Sequence, residues 1–326
     1  MSEAPSTSAA PAAAPAAAPA AEPAPELSIV ILSWNTRELL RACLASLYEQ
    51  DHGVRFETIV VENGSRDGSL EMVAKEFPQV RLIRNGVNEG FARGCNQGVR
   101  VATAPLVMAL NSDTEMRPRT LRTLVDFMLR FPEYGACAPR LSNPDGSVQR
   151  ACMRLPDLKV AWLYDSWFER RFGRSAAVKR YFMEDFDHLG DADVEQPPGA
   201  CFVLRRELWD ELGGFDERLW LFFNDVDLCQ RIRARGLKIR YLARVEVVHH
   251  GGRSTSQYRD FTGEWVVNRV RYYRKHHGRL GAWVVKTWLL LRSLEESSRL
   301  RRTLQDGARK AALADVRRVV GRALRA

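Results

Sequence analysis

Short apolar runs alternate with segments of helical periodicity in the early part of the chain. Four of these runs have the length and composition of buried strands: 27–33, 58–61, 80–83 and 106–110. After the first run, Leu40, Cys43, Leu44 and Leu47 fall on one face of a helix. Helices are also predicted at 69–77 and 121–129. This alternation with short connections predicts an α/β fold with a mostly parallel central sheet and helices on both faces.

The later part of the chain is less regular but mixes the same two elements. It predicts strands at 199–204, 237–243 and 245–250, and helices at 206–212 and 225–235. Ligands of such sheets bind beyond the carboxyl ends of the strands. Polar clusters follow three of the early strands, at 33–35, 62–63 and 111–113, so we expect them at this edge of the sheet.

Composition divides the chain into three parts. Segment 1–26 is Ala/Pro-rich and is predicted to be disordered, without the basic start and Leu-rich core of a signal peptide. Segment 27–268 forms the α/β domain. Segment 269–326 is a basic amphipathic helical tail with 16 Lys or Arg against 4 Asp or Glu, a net charge of +12 in a chain whose total is +9. Six cysteines without a CxxC pair fit a reducing cytosol, and no apolar run is long enough to predict a membrane span.

Two acidic clusters follow apolar segments about a hundred residues apart. They are Asn111-Ser112-Asp113 and Asn224-Asp225-Val226-Asp227. A buried carboxylate is costly unless it meets a cation or takes part in chemistry. The pair therefore indicates a metal carboxylate and a separate base, which is what sugar transfer from a nucleotide donor requires. Taken alone, Asp113 and Asp225 are equally good helix caps, and we interpret Asp227 as a first-turn acid that favours the helix dipole.

Seven short segments occur in a characteristic order across most of the chain: VILSWN (30–35), VENGSRDG (61–68), NEGFA (88–92), LNSDT (110–114), GGFD (213–216), FNDVDL (223–228) and HHGG (249–252). Together they resemble the family 2 glycosyltransferases, and most of all the bacterial branch that includes rhamnosyltransferases of polysaccharide and O-antigen assembly. The resemblance implies a GT-A fold with a Rossmann-like central sheet. It also implies an inverting, metal-dependent sugar transfer from a nucleotide-diphosphate donor.

The resemblance assigns the metal and the base to particular residues. Asp113 fills the last position of the family's metal motif and would hold Mn²⁺ or Mg²⁺ to offset the charge of the leaving diphosphate. His249 resembles the third metal-side residue found in parts of the family, although a single His at a strand end is also often an ordinary polar residue. Asp225 resembles the base that takes the proton of the acceptor hydroxyl.

The resemblance also suggests donor-binding residues. Glu62 and Asp67 would contact the base and ribose of the donor, and both also suit an ordinary β-turn. The remaining donor-binding candidates are Ser33, Asn35, Asn63, Asn88, Arg93 and Asn111. By resemblance the donor is dTDP-L-rhamnose or a UDP-hexose, and the acceptor is a glycan or a lipid-linked sugar.

Two alternatives to this function come from the residues themselves. Asn111 stands where the family's metal motif usually has its first acid. Asn224 stands where the family usually has Glu, and Glu62 where it usually has Asp. These differences would suit an inactive nucleotide-sugar-binding relative. The basic tail would suit a nucleic-acid-binding protein, but it contains no recognisable reading motif, so nucleic acid is not expected as a partner.

The tail itself allows two interpretations. Trp283, Trp288 and the Leu289-Leu-Leu291 run suit contact with an anionic membrane, which would place a cytoplasmic protein at the inner face of the cytoplasmic membrane. The same pattern suits a helix packed on the α/β domain or across a homodimer.

Overall fold

The computed structural model describes residues 23–252 and 260–326, so the predicted disordered segment lies outside the described residues except for its last four. Its strands are β1 (Leu27–Ser33), β2 (Phe56–Asn63), β3 (Arg81–Asn85), β4 (Leu106–Asn111), β5 (Thr114–Met116), β6 (Tyr134–Ser142), β7 (Ala192–Asp193), β8 (Cys201–Arg205) and β9 (Lys238–His249). Its helices are α1 (Arg37–Tyr48), α2 (Ser69–Glu76), α3 (Phe91–Arg100), α4 (Thr120–Arg130), α5 (Leu158–Leu163), α6 (Trp167–Phe172), α7 (Ala176–Tyr181), α8 (Arg206–Leu212), α9 (Asn224–Ala234), α10 (Phe261–Thr303) and α11 (Asp306–Arg325).

The strands of the described residues form one sheet in the order β3-β2-β1-β4-β8-β6-β9-β5, with β7 also paired to β9. The first four are parallel, β8 is antiparallel to both of its neighbours, and β6 and β9 are parallel to each other. Two segments predicted as separate strands, 237–243 and 245–250, form the single strand β9. The predicted α/β fold with a mostly parallel sheet is confirmed.

Helices cover both faces of the sheet, as the alternation predicts. Helices α1, α2 and α4 pack on one face, through residues such as Leu44 and Leu124, and α3, α8 and α9 pack on the other. Helix α3 lies very close to β1, because a Cβ at Gly98 would come within 2.3 Å of a Val30 methyl carbon. Gly94 faces Leu32 at the same distance. These glycines therefore allow a close helix approach below the carboxyl end of β1.

The tail packs on the α/β domain. Helix α10 begins at Phe261, so the predicted boundary at 268/269 falls inside it, and its backbone leaves helical geometry at Gly278. The helix buries Val285, Trp288 and Leu289 in a cluster shared with α5, α9 and α11. The prediction that Trp288 and Leu289 contact lipid is therefore wrong, since both are buried against protein.

A buried charge cluster fastens the tail to α9. The Asp227 carboxylate is fully buried and pairs with Arg231, Lys275 and His276, each at 2.7 Å. Burial opposes its ionisation, but the hydrogen bond from His276 and the charges of Arg231 and Lys275 outweigh this and lower the pKa of Asp227. Asp227 is thus a link between α9 and α10 and not only an acid in a first helical turn. Among the described residues no helix combines the length and apolarity needed to cross a bilayer.

Candidate active site

A cleft of about 270 Å³ opens at the carboxyl ends of β1, β2 and β4. Six residues predicted from the sequence line it: Asn63, Asn88, Asn111, Asp113, Asp225 and His249. The two acidic clusters, far apart in the chain, therefore meet in one cleft. The edge of the sheet at which they meet is the one that the strand pattern predicts.

Backbone pairing brings Asp113 and His249 together. Strand β5 is antiparallel to β9 with Thr114 opposite His249, and the His250 N–H donates to the Asp113 carbonyl at 2.9 Å. As a result, His249 Nε2 lies 3.4 Å from Asp113 Oδ1. Asp113 lies between the end of β4 at Asn111 and the start of β5 at Thr114, so it is fixed by two strands at once.

Gln149 sets the tautomer of His249. The Gln149 amide nitrogen donates to the His249 carbonyl at 2.7 Å. This hydrogen bond turns the Gln149 Oε1 towards His249 Nδ1, at a distance of 2.9 Å. Nδ1 must then carry the hydrogen, because an amide oxygen only accepts. The lone pair of Nε2 is left on the side of Asp113. This is the arrangement of a metal-binding histidine, whose other ring nitrogen is held by a hydrogen-bonding partner.

The two side chains fit a divalent cation. Neighbouring ligands of an octahedral ion with bonds of about 2.1 Å lie roughly 3 Å apart, close to the 3.4 Å between Nε2 and Oδ1. No group of three or more His, Cys, Asp or Glu suited to a metal occurs in the described parts of the chain. A site with few protein ligands is typical of ions that are completed by substrate phosphates and water.

We expect Gln149→Leu to weaken activation by a divalent metal by about 10- to 100-fold, as for the loss of other partners of ligating histidines. Gln149→Glu keeps an acceptor for Nδ1–H and should retain most of the response. The measurement is turnover against Mn²⁺ concentration, with thermal melting to check folding. Equal metal responses of the Leu variant and the wild type would contradict the positioning role.

Asp225 lies in the first turn of α9 and lines the cleft. The cap position is occupied by Phe223 (φ 61°), so the interpretation of Asp225 as the helix cap is wrong. Burial raises the pKa of Asp225, only partly offset by hydrogen bonds from the backbone of Val226 and from Gln196. A carboxylate with a raised pKa is a stronger base once it is deprotonated.

The residues before Asp225 shape its position. Phe222 and Phe223 both have positive φ, 69° and 61°, which is uncommon for large side chains and is concentrated at functional sites. The Asn224 amide donates to the Leu219 carbonyl and so closes this loop. Asn224 thus has a structural role of its own at a position where the family usually has Glu.

Gly199 leaves room for the Asp225 carboxylate, because a Cβ at this position would come within 2.5 Å of Asp225 Oδ2. We expect Gly199→Ala to displace the carboxylate and lower turnover by about 10²-fold, as a shift of about 1 Å in a reacting group can do. Gly190→Ala, at an open position, is the matched control. The comparison uses turnover and thermal melting of both variants, and a fully active Gly199→Ala protein would contradict this account of Asp225.

Two of the predicted donor-binding asparagines, Asn63 and Asn88, belong to one hydrogen-bond network. Asn63 donates to Asn88 Oδ1 at 2.9 Å and accepts from Asn85 and from the Glu89 N–H, each at 3.0 Å. This network fixes the loop that leads to Gly90. The Trp220 ring lies so close to Gly90 that a Cβ at this position would come within 2.5 Å of it, so only glycine leaves room for the ring. Asn111, at the end of β4, also lines the cleft.

The other predicted donor-binding residues do not belong to the lining of the cleft: Ser33, Asn35, Glu62, Asp67 and Arg93. The Ser33 hydroxyl lies in a buried chain with those of Thr36 and Ser112. Arg93 pairs with Glu89 at 2.8 Å. Their donor contacts stay predictions.

The turn after β2 is held by three of these side chains. Glu62 accepts from the Ser65 N–H at 2.7 Å, and Asn35 accepts from the Arg66 N–H at 2.8 Å. Asp67 accepts from the first turns of α1 and α2, through the N–H groups of Arg37 and Ser69. Partial burial opposes its ionisation, but these hydrogen bonds outweigh it and lower the pKa of Asp67. The turn interpretation of this segment is therefore correct, whatever further contact its residues make.

Sequence reasoning did not single out Gln149, Gln196 or Trp220. A lone Gln gives no signal, and Gln149 acquires its role only because it lies beside His249, a hundred residues away. Trp220 lies in an apolar run that gives no sign of a functional role, yet its side chain lines the cleft.

Comparisons with known proteins point to one family. Residues 28–213 match the family model Glycosyl transferase family 2. An N-acetylglucosaminyl-diphospho-decaprenol L-rhamnosyltransferase of Mycobacterium tuberculosis is 29% identical over 210 residues, which cover 61% of this chain and 68% of that protein. The O-antigen biosynthesis protein RfbC of Myxococcus xanthus is 29% identical over 242 residues, 69% of this chain and 17% of that protein.

Solved structures share the fold. The mannosyltransferase PcManGT of Pyrobaculum calidifontis superposes with a TM-score of 0.52 at 16% identity and covers 94% of this chain and 88% of its own. GalNAc-T7 gives a TM-score of 0.54 at 17% identity, over 69% of this chain and 43% of its own. The family match covers more than half of the chain, while Asp225 and His249 lie beyond it. The chain belongs to glycosyl transferase family 2 and is a glycosyltransferase of the GT-A fold.

Proposed function

We propose that the protein is an inverting, divalent-metal-dependent glycosyltransferase. The observation that carries this is that the Asp113–His249 pair and Asp225 line the same cleft. The acceptor hydroxyl gives its proton to Asp225 and attacks the anomeric carbon of the donor while the bond to the diphosphate breaks. A single displacement of this kind inverts the configuration at that carbon.

Asp113 and His249 would hold the cation, with Mn²⁺ favoured over Mg²⁺ by the imidazole ligand. When bound, the cation neutralises negative charge on the leaving diphosphate. The PcManGT structure is a complex with GDP-Man and Mn²⁺, and the GalNAc-T7 structure is one with UDP, GalNAc and Mn²⁺. This supports a metal-bound nucleotide sugar in the same kind of cleft.

The donor is proposed to be dTDP-L-rhamnose, with a UDP-hexose as the other candidate. The name of the M. tuberculosis relative describes an L-rhamnosyl transfer to a sugar linked through diphosphate to decaprenol. RfbC is named for O-antigen biosynthesis. Both favour an acceptor that is lipid-linked or part of a growing surface glycan.

The retained Asp113, His249 and Asp225 argue against an inactive relative. Asn224 and Glu62, two of the three residues that differ from the family pattern, form hydrogen bonds that hold the local backbone. We therefore interpret these two differences as structural and not as the loss of a catalytic group.

A donor panel tests the proposal. The purified chain is incubated with dTDP-rhamnose, UDP-hexoses and GDP-mannose, with and without Mn²⁺, and released nucleoside diphosphate is measured. The proposal expects release from one donor class that depends on the metal. If none of the donors is turned over under either condition, the proposal is wrong.

We further propose peripheral contact with an anionic membrane through a surface that shares Leu291 with the predicted one but is otherwise formed by other residues. Helices α5, α6 and α10 expose a patch of apolar side chains: Trp162, Trp167, Phe168, Phe172, Leu291 and Leu294. Arg171 and Arg174 lie beside it, over the rings of Phe172 and Phe182. Exposed aromatic rings flanked by arginine suit the interface of an anionic bilayer.

Replacing Trp167, Phe168 and Phe172 together by Ser should reduce binding to phosphatidylglycerol vesicles by about tenfold or more. In the wild type each ring leaves water when it enters the bilayer, and the variant loses this favourable burial of apolar area. Salt should weaken wild-type binding without abolishing it. Co-sedimentation measures both effects, with Leu129→Ser on α4 as an exposed apolar control. Removing the tail is not a usable test, because α10 supplies buried side chains. Equal binding of the triple variant and the wild type would contradict this surface.

A further inference from the structure

A second cavity, of about 250 Å³, adjoins the cleft. Asp225 and Phe222 line both spaces. The walls of this second space, which we call the aromatic cavity, consist mainly of ring side chains: Tyr164, Tyr181, Phe182, Phe223, Trp265 and Tyr273. A base that receives the proton of the acceptor hydroxyl has to lie where the acceptor meets the donor. Asp225 has this position if the cleft holds the donor and the aromatic cavity holds the acceptor.

The aromatic cavity contains a buried cation. Arg269 lines it and is only 2% exposed. Its Nη2 donates to the Ala161 carbonyl at 2.8 Å, and the guanidinium lies 4.1 Å from the centre of the Trp288 ring. Nη1 has no hydrogen-bond partner among the described residues, and Arg269 forms no ion pair with them. A buried guanidinium without a carboxylate is costly, so its charge calls for an anionic ligand.

A second unsatisfied polar atom lines the same space. Gln196 is buried, and its Oε1 has no partner in the described residues. An amide oxygen can accept from a sugar hydroxyl. The cavity therefore combines rings for the face of a sugar, an acceptor for its hydroxyl groups, a base at one end and a fixed positive charge.

We propose that the aromatic cavity is the acceptor site and that it binds a sugar esterified to phosphate or diphosphate, with the anionic ester at Arg269. This inference rests on the proposed glycosyltransferase function. In the transfer step the acceptor O–H bond breaks and its proton goes to Asp225. The oxygen forms a bond to the anomeric carbon of the donor, and the nucleoside diphosphate leaves with the electron pair of the broken bond.

A groove beside the aromatic cavity suits an apolar chain on such an ester. Trp288, whose ring lies against Arg269, lines this groove of about 540 Å³ between α5, α6 and α10. Trp162, Trp167 and Leu291 form much of its wall and belong to the exposed apolar patch. We therefore place the chain of a lipid-linked sugar in the groove and its sugar head in the aromatic cavity.

Binding of two matched probes tests the anionic site without requiring turnover. N-acetylglucosamine 1-phosphate should bind the metal-free wild type about tenfold or more tightly than N-acetylglucosamine, as expected for a charge-assisted contact. Met153 lines the cavity and is half-buried, so Met153→Glu and Met153→Gln differ mainly in charge. The preference for the phosphate ester should disappear in Met153→Glu and remain in Met153→Gln, by titration calorimetry.

Variants at the two cavities complete the test. Arg269→Met should lose the preference and Arg269→Lys should keep part of it, while Asp113→Asn in the cleft should keep it fully. If Arg269→Met does not fold, the Met153 pair decides. No preference in the wild type, an unchanged preference in Met153→Glu, or its loss in Asp113→Asn would each overturn the proposal.

Nucleotide release separates the inference from the function on which it rests. If the wild type turns over no sugar donor, the proposed function fails. If it releases nucleotide but Met153→Glu and Met153→Gln have the same KM for a phosphate-linked acceptor, only the acceptor site is wrong.

Discussion

Asp225→Asn should lower the rate of sugar transfer by about 10²- to 10⁴-fold, the usual loss when a general base is removed. Donor affinity should be nearly unchanged, because the base acts on the acceptor hydroxyl. Nucleotide release under saturating and limiting donor measures the two effects separately. A collapse of donor affinity with a surviving maximal rate would instead assign Asp225 to donor binding. Asp210→Asn, an exposed carboxylate on α8, is the control.

The same substitution should stabilise the fold. Burial raises the pKa of Asp225, so the folded protein holds this proton more tightly than the unfolded chain. Wild-type stability therefore falls as pH rises from the unfolded pKa through the folded pKa, where the partly buried carboxyl group becomes charged. An amide carries no charge at any pH, so the melting temperature of the Asn variant should exceed that of the wild type at neutral pH and converge with it in acid. An equal or lower melting temperature at neutral pH would mean that the charge is stabilised by the site.

Asp113→Asn should abolish most metal-dependent turnover, by about 10² or more, because a neutral amide cannot hold the cation that offsets the diphosphate charge. Its residual rate should no longer rise with Mn²⁺. Electron paramagnetic resonance of free Mn²⁺ in the presence of nucleoside diphosphate measures the loss of binding directly.

Glu115→Gln is the matched control for this substitution. Glu115 lies two residues further along, pairs with His250 at 2.7 Å and does not line the cleft. It should retain the full metal response. A normal metal response of Asp113→Asn, or an equal loss in both variants, would contradict the assignment of the metal to Asp113.

The early half of the fold follows from local pattern because β1, β2 and β4 are largely buried parallel strands, each with an apolar run of its own. The runs at 27–33 and 106–110 coincide with β1 and β4 to within a residue. The apolar run before Asp225 instead forms a loop, since Phe222 and Phe223 adopt left-handed backbone conformations that residue type alone does not predict. The tail was ambiguous for a related reason: an apolar face has the same pattern whether lipid or protein covers it.

The site was predictable where chemistry constrains residue type. Asp113, Asp225 and His249, which line the cleft, were predicted because each stands in a short motif at the end of a strand or a helix. Gln149 and Arg269 were not, because their roles depend on long-range contacts: a ring nitrogen a hundred residues away and a stack on Trp288. Asn224 and Asp67 show the reverse case, in which motif residues also carry hydrogen bonds that hold the backbone.

The configuration of the first product formed tests the metal-assisted single displacement at Asp225 most directly. Proton NMR of the anomeric signal of the product formed in the presence of Mn²⁺ distinguishes the two anomers, because a glycoside does not interconvert between them. The account predicts that the product is inverted relative to the donor, and that Asp225→Asn forms the same anomer much more slowly. A product with retained configuration would contradict it, because retention requires two displacements or attack from the face on which the diphosphate leaves.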